Sequence, residues 1–92
     1  MTVQEQQETI WFIYIVRCSD NSLYTGITTD LKRRVDEHNT GAVGAKYTRS
    51  RRPVKMVYHE RAENRSQASR REYQIKKMSL QSKLKMIEGL EA

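Results

Sequence analysis

The most constraining feature of this 92-residue sequence is the apolar run at residues 10–18. The run is rich in β-branched and aromatic residues and is apolar at nearly every position, which is typical of a central strand buried on both faces. Residues 19–22 suit a tight turn, and residues 23–27 can return as a second, antiparallel strand. The sequence therefore predicts a β-hairpin around which the rest of the chain is arranged.

Two tyrosines, Tyr14 and Tyr24, place hydroxyl groups within this apolar hairpin. Because side chains alternate between the faces of a strand, the register of the hairpin decides whether the tyrosines share a face. A turn with an odd number of residues, or a bulge, brings them together, and an even number separates them. A site that uses both tyrosines requires the first case.

A helix is predicted next, capped by Thr28 or Thr29, with Asp30 in its first turn and an end near Gly41. Leu31 and Val35 form its inward stripe. Arg34 and His38 form a second pair four residues apart that can point together toward the rim of the sheet. The alternative for Arg34 is a solvated basic face, since two other cations precede it directly.

Residues 40–52 are predicted to be a glycine-punctuated loop with a densely basic end. Four cations surround one tyrosine, and the segment contains no carboxylate to balance them. This pattern favours contact with phosphate groups and stacking on a base, although an ordinary exposed loop is the alternative. The candidate nucleic-acid-binding residues are Lys46, Tyr47, Arg49, Arg51 and Arg52.

The second half of the chain predicts a third strand and two helices. Residues 54–60 alternate as a strand, with Val54, Met56 and Tyr58 on one face, and Ser66 is expected to cap the first helix. In the last helix the predicted inward stripe is Leu80, Leu84 and Ile87.

Glu72 lies on the face of the first of these helices that is expected to meet the sheet. A carboxylate in that position needs a partner. Helical spacing offers Lys76, four residues later, and a metal ion is the other possibility.

Composition bounds the class of protein. The net charge of +6 and the isoelectric point near 9.7 favour a polyanionic partner, with a merely basic soluble protein as the alternative. A single cysteine, Cys18, excludes an internal disulfide, the Cys/His pattern does not indicate zinc, and a cytoplasmic location is the default. The sequence predicts no signal peptide or membrane span, and it predicts one domain at residues 10–92 after a flexible terminus at residues 1–9.

The ordered set of Tyr14, Tyr24, Gly26, Arg34 and His38 resembles the GIY-YIG nuclease family. Ten residues separate the two tyrosines and ten more lead to Arg34, as in that family. The resemblance extends over about residues 10–87 and is strongest to small stand-alone bacterial GIY-YIG proteins, which are similar to the catalytic domain of the excision-repair incision nuclease. It implies an α+β fold with a small, largely antiparallel three-stranded sheet flanked by about three helices.

The resemblance also implies a reaction, the hydrolysis of phosphodiester bonds in DNA during repair or recombination. Glu72 would hold one Mg²⁺ or Mn²⁺ ion, and Arg34 would neutralise charge on the scissile phosphate. Tyr14 would be the general base, which requires a pKa lowered from about 10 by the metal or by neighbouring cations. Tyr24 and His38 would orient the water or relay the proton, and Gly26 would have a structural role.

Two positions depart from the family pattern. Phe12 replaces the first glycine of the motif, and Leu84 stands where many members have an asparagine. The alternatives are therefore a weakly catalytic or non-catalytic nucleic-acid-binding module of the same fold, and an adaptor that binds an acidic protein. Targeting is expected to come from a protein partner, from homodimerisation or from substrate shape.

Overall fold

A computed structural model of the chain describes residues 9–41 and 44–91, with side chains as far as residue 89. The described part contains three strands, β1 (Trp11–Arg17), β2 (Leu23–Thr28) and β3 (Lys55–Ala62). It contains four helices, α1 (Leu31–Thr40), α2 (Lys46–Arg49), α3 (Arg65–Lys76) and α4 (Leu80–Glu91). The predicted α+β class is confirmed. The flexible terminus predicted for residues 1–9 falls, except for Thr9, outside the described residues.

The strands form one antiparallel sheet in the order β2-β1-β3, so β1 is central as its apolar sequence predicts. Ile13, Ile15 and Val16 are fully buried in it. The strand is one residue shorter at each end than the predicted range of 10–18. Its central place explains why nearly every position is apolar, since both faces are covered.

Two hydrophobic clusters cover the two faces of the sheet. Ile13 and Ile15 belong to one cluster, which also contains Ala68 and Ile75 of α3. Tyr14 and Val16 point to the other face, where the side chains of α1 pack against them. The alternation along β1 therefore assigns Tyr14 to the α1 side of the sheet.

A β-bulge in β3 overturns the predicted alternation of that strand. Ile15 pairs with Tyr58 and Val16 pairs with Met56, so Val57 is an extra residue opposite the irregularity in β1. Met56 packs with the α1 side, whereas Val57 and Tyr58 both pack with the α3 side. The prediction that Tyr58 shares a face with Met56 was wrong because a bulge reverses the faces of all residues beyond it.

The helix caps also differ from the prediction. Asp30 is the N-cap of α1, and its side chain accepts a hydrogen bond from the Arg33 N–H. Thr28 ends β2, and its hydroxyl accepts from the Asp30 N–H. Asn64, not Ser66, caps α3 and accepts from the Gln67 N–H, at a distance of 2.8 Å. Asx side chains are short enough to reach the orphan N–H groups of the first turn.

The predicted inward stripe of α4 is only partly correct. Ile87 is 2% exposed and packs in the core with Met86, whereas Leu80 and Leu84 are 60% and 37% exposed. The helix thus meets the sheet through its second half. The segment predicted as a loop between α1 and β3 also contains a short helix, α2.

Candidate active site

The two motif tyrosines share the face of the sheet that α1 covers. Tyr14 pairs with Gly26, and Val16 pairs with Tyr24, with the connecting residues 18–22 between the paired strands. That connection has an odd number of residues, and residues opposite one another on antiparallel strands point to the same side. The register therefore gives the arrangement that a site with both tyrosines requires.

The Tyr14 hydroxyl meets the two candidate residues of α1. Its oxygen lies 2.8 Å from His38 Nε2 and accepts a hydrogen bond of 3.3 Å from Arg34 Nε. Tyr14 is 1% exposed and His38 is completely buried. Arg34 also donates from Nη1 to Glu37 Oε1, at 2.8 Å. The guanidinium is thereby fixed beside the phenol.

The protonation state of His38 follows from its other nitrogen. The Thr48 hydroxyl donates to the carbonyl oxygen of Ala45 at 3.0 Å, and it lies 2.8 Å from His38 Nδ1. Because that hydroxyl proton is already used, Thr48 must accept from the Nδ1–H. His38 Nε2 is then the free acceptor, and Tyr14 donates to it. A continuous donor chain thus runs from Arg34 through Tyr14, His38 and Thr48 to Ala45.

Burial keeps both members of the central pair neutral. Burial, together with the nearby charge of Arg34, lowers the pKa of His38 to about 4. Burial also raises the pKa of Tyr14 to about 12, against the opposing effect of Arg34. Arg34 lowers the pKa of Tyr14, as the general-base role requires, but burial outweighs this effect, so these side chains alone do not give the lowered pKa. At neutral pH, His38 Nε2 is therefore an unprotonated acceptor and Tyr14 is a protonated donor to it.

Acid is expected to destabilise the fold through His38. The unfolded histidine gains its proton below pH 6.5, whereas the folded one resists protonation until about pH 4. Folding stability should thus fall by ~3 kcal/mol as the pH drops through this window and not change further through His38 below it. Urea unfolding at a series of pH values measures this dependence. The slope should be flattened in His38→Gln and retained in His59→Gln; equal slopes in both variants contradict the assignment.

Gly26 makes room for the Tyr14 ring. A Cβ at this position would lie 2.5 Å from the Tyr14 hydroxyl oxygen and 2.8 Å from the ring carbon that carries it. Since both residues are buried, the ring must move to accept a methyl group. We expect Gly26→Ala to cost about 1–3 kcal/mol of stability and to disrupt the hydrogen bond to His38. Thermal unfolding measures the first effect and the imidazole NMR signals report the second, with Gly89→Ala, where a Cβ would meet nothing, as the control.

Tyr24 contacts the same histidine by its ring. Its centroid lies 5.4 Å from that of His38, and 5.9 Å from that of Tyr47, on which it stacks at an interplanar angle of 22°. Tyr24 therefore forms a wall of the site and connects it to α2. Its hydroxyl makes no hydrogen bond within the described part of the chain.

Glu72 lies near the site and is paired with Lys76. The ion pair is 3.2 Å long, and the carboxylate side chain is 22% exposed while that of Lys76 is 50% exposed. The negative charge of Glu72 contributes to the raised pKa of Tyr14, and Nζ of its partner Lys76 lies 6.0 Å from the centre of the Tyr24 ring. Both partners considered for Glu72 are compatible with this position.

The donor set fits a hard divalent cation that keeps most of its water. No group of three or more Asp, Glu, His and Cys side chains within residues 9–41 and 44–89 converges as a closed metal site. One carboxylate is sufficient for a Mg²⁺-like ion that also binds substrate oxygens. Lys76 is half exposed and can release the carboxylate to such an ion at little cost.

Two of the four cations predicted to contact nucleic acid, Arg51 and Arg52, instead make contacts within the fold. Arg51 donates to Asp20 Oδ2 at 3.1 Å and lies 4.0 Å above the Tyr47 ring. Arg52 donates to the carbonyl oxygens of His38 and Gly41. The prediction that no carboxylate balances the cluster was wrong. The segment itself contains none, but the fold brings Asp20 of the hairpin turn to Arg51. Lys46 and Arg49 are exposed.

Sequence reasoning missed two residues that position the site, Glu37 and Thr48. Glu37 could have been found, because it lies three residues after Arg34 on the same helix. Thr48 left no signal in the sequence, since only the fold brings it to His38.

A sheet with two tyrosines on one face, an arginine and a histidine on the helix above it and a glutamate on a following helix defines a GIY-YIG type of catalytic domain. The chain belongs to this family, because the protein-family model described as the GIY-YIG catalytic domain matches residues 10–85.

Curated relatives and solved structures agree with this placement. A UPF0213 protein of Desulfotalea psychrophila is 53% identical over 87 residues, which is 95% of this chain and 79% of the relative. A UPF0213 protein of Staphylococcus haemolyticus is 58% identical, and the match covers 84% of this chain and 93% of the relative.

The solution NMR structure of a protein from E. faecalis has a TM-score of 0.60 and 35% sequence identity, and the match covers 95% of this chain and 92% of that one. The solution NMR structure of a UPF0213 protein from Bacillus halodurans has a TM-score of 0.55 and 38% identity, and the match covers 86% of this chain and 83% of that one.

Proposed function

We propose that this protein is a divalent-metal-dependent endonuclease that hydrolyses phosphodiester bonds in DNA, acting in repair or recombination. The observation that carries the proposal is the buried donor chain from Arg34 through Tyr14 to His38, with Glu72 electrostatically coupled to its centre. A tyrosine with a purely structural role does not need both a neutral histidine as the acceptor of its hydroxyl proton and a guanidinium that donates to its oxygen. Residues 10–92 would be its single domain.

Each residue of the donor chain has a role in this scheme. Arg34, fixed by Glu37, would neutralise charge on the scissile phosphate, a task suited to a planar and permanently charged group. The attacking water would lose a proton to the Tyr14 oxygen as Tyr14 passes its own proton to His38 Nε2. Thr48 would hold the histidine in the accepting tautomer. In this form Tyr14 relays a proton and needs no phenolate.

Glu72 would bind the metal, one Mg²⁺ or Mn²⁺ ion. When bound there, the ion would act as a Lewis acid on the phosphate and stabilise the leaving oxygen. Tyr24 would limit the space around His38 and keep water in place. Lys46 and Arg49 would contact phosphates outside the cleavage site.

The net charge of +6 supports a nucleic-acid substrate. A second candidate, a nucleic-acid-binding module with little or no cleavage, is favoured by two observations. Glu72 is engaged with Lys76, and Leu84, 37% exposed, stands where many members of the family have an asparagine.

Removal of the metal separates the two candidates. With supercoiled plasmid and branched DNA, the endonuclease should produce nicked products with Mg²⁺ or Mn²⁺ and none in EDTA, whereas binding should persist in EDTA. A binding module gives a mobility shift with no nicking under either condition. Cleavage that continues undiminished in EDTA contradicts the metal-dependent scheme.

A further inference from the structure

The α1 side of the sheet continues beyond the donor chain. His59 pairs with Tyr14 across β1 and β3, and Phe12 pairs with Arg61. Since paired residues point to the same side, these three residues lie on the same face as the Tyr14 hydroxyl. His59 is adjacent to Tyr14, and Phe12 and Arg61 are one strand repeat further, about 7 Å away. We name Phe12, His59 and Arg61 the strand surface.

The strand surface is open, whereas the neighbouring part of the same face is covered. Leu31 and Val35 of α1 pack over Tyr14 and Val16. Phe12 belongs to neither hydrophobic cluster of the described residues and is half-buried, whereas His59 and Arg61 are exposed. The β3 bulge produces this arrangement, because without it His59 would point to the other side.

The chemistry of the strand surface is aromatic and positive. The Phe12 and His59 rings meet edge to face, with centroids 6.3 Å apart and an interplanar angle of 81°. Arg61 makes no hydrogen bond or ion pair with any described residue. Glu60 pairs with Ile13 on the opposite side of the sheet and is bound there by Tyr58 and Arg71. An exposed ring can stack on a base, and a guanidinium with no partner among the described residues can bind a phosphate, so together they suit one nucleotide of a nucleic acid.

We propose that the strand surface binds unpaired nucleotides next to the cleaved bond, with a base stacked on the exposed His59 ring, which Phe12 supports edge to face, and a phosphate on Arg61. The proposal rests on the proposed function and narrows its substrate class. A base inside a continuous duplex is already stacked on its neighbours and cannot use these rings. The protein therefore prefers substrates with single-stranded nucleotides beside the scissile phosphate, such as flaps, gaps and branches.

Binding without metal tests the stacking part. Fluorescence anisotropy in EDTA, at a pH above the ordinary histidine pKa, compares labelled oligothymidylate with an abasic strand of the same length and charge. Wild type should bind oligothymidylate about tenfold more tightly, as expected from one stacked base. His59→Ala and Phe12→Leu should each remove most of that preference. Equal binding of the two strands by wild type, or an unchanged preference in both variants, overturns the proposal.

Arg61 has a matched control in Arg70, an exposed cation of α3 that also makes no hydrogen bond or ion pair with any described residue. Arg61→Ala should weaken binding of both strands to the same extent and reduce the slope of log affinity against log salt by about one. Arg70→Ala should leave the slope unchanged. Equal slopes in wild type and Arg61→Ala contradict the phosphate contact. Thermal unfolding verifies that each variant is folded.

The result is independent of cleavage. A preference for oligothymidylate that is retained in Glu72→Gln supports the strand surface whether or not the wild type cuts DNA. If wild type nicks DNA but shows no such preference, the nuclease proposal stands and the strand surface is rejected.

Discussion

Substitution of Glu72 by glutamine is expected to slow metal-dependent cleavage by about 10²–10³-fold, the usual cost of removing one group that stabilises charge in the transition state. Glutamine has nearly the same size and keeps one carbonyl oxygen, but it loses the negative charge that attracts a divalent ion. The carboxylate is 22% exposed, so the substitution should leave the fold intact. Single-turnover nicking of plasmid DNA at saturating metal measures the effect.

The matched control is Lys76→Gln, because it separates the two partners of Glu72. If the glutamate serves the metal, removal of Lys76 breaks an exposed pair worth about 0.3–0.5 kcal/mol and leaves cleavage nearly unchanged. If the glutamate serves only the ion pair, the two variants should behave alike. Equal nicking rates for wild type and Glu72→Gln would remove Glu72 from the mechanism.

The second large effect is expected for Tyr14→Phe. The substitution deletes the oxygen that receives the water proton, and a lost proton relay costs about 10²–10⁴ in rate. It also leaves Arg34 Nε without its acceptor and His38 Nε2 without its donor, which should cost about 1–3 kcal/mol of stability. The rate at saturating DNA should fall while the affinity for DNA is retained, since the substitution removes no charge and leaves the exposed cations unchanged.

Tyr24→Phe and Tyr73→Phe are the controls for this experiment. Tyr24 contacts His38 by its ring alone, so its variant should lose much less activity. Tyr73 is 62% exposed and outside the donor chain, and its variant should be unaffected. A Tyr14→Phe protein that cuts at the wild-type rate would show that the water gives its proton to another group.

Local patterns were sufficient to predict much of this arrangement. The central strand follows from an apolar run without alternation. The shared face of Tyr14 and Tyr24 does not follow from the sequence, because the predicted turn at residues 19–22 has an even number of residues and the observed connection at residues 18–22 has an odd number. Arg34 and His38 were predicted to lie together because helical spacing is fixed. The catalytic roles of these residues stay predictions until the variants are measured.

The remaining features depend on contacts between distant segments. No local rule indicates that Asp20 reaches Arg51 or that Thr48 reaches His38. The bulge opposite Ile15 is equally hidden, because β3 alternates well enough to be read as a regular strand. The general-base role of Tyr14 requires a lowered pKa, and the sequence does not show how deeply the residue is buried, which is the main reason why its pKa is raised instead.

The short helix α2 connects two parts of the proposed function. The same four residues supply the hydroxyl that selects the histidine tautomer, an aromatic ring stacked on Tyr24, and exposed cations. In the proposed function, a nucleic acid bound to those cations would therefore contact the same helix that orients His38. A shift of α2 on binding would change the hydrogen bond between Thr48 and His38.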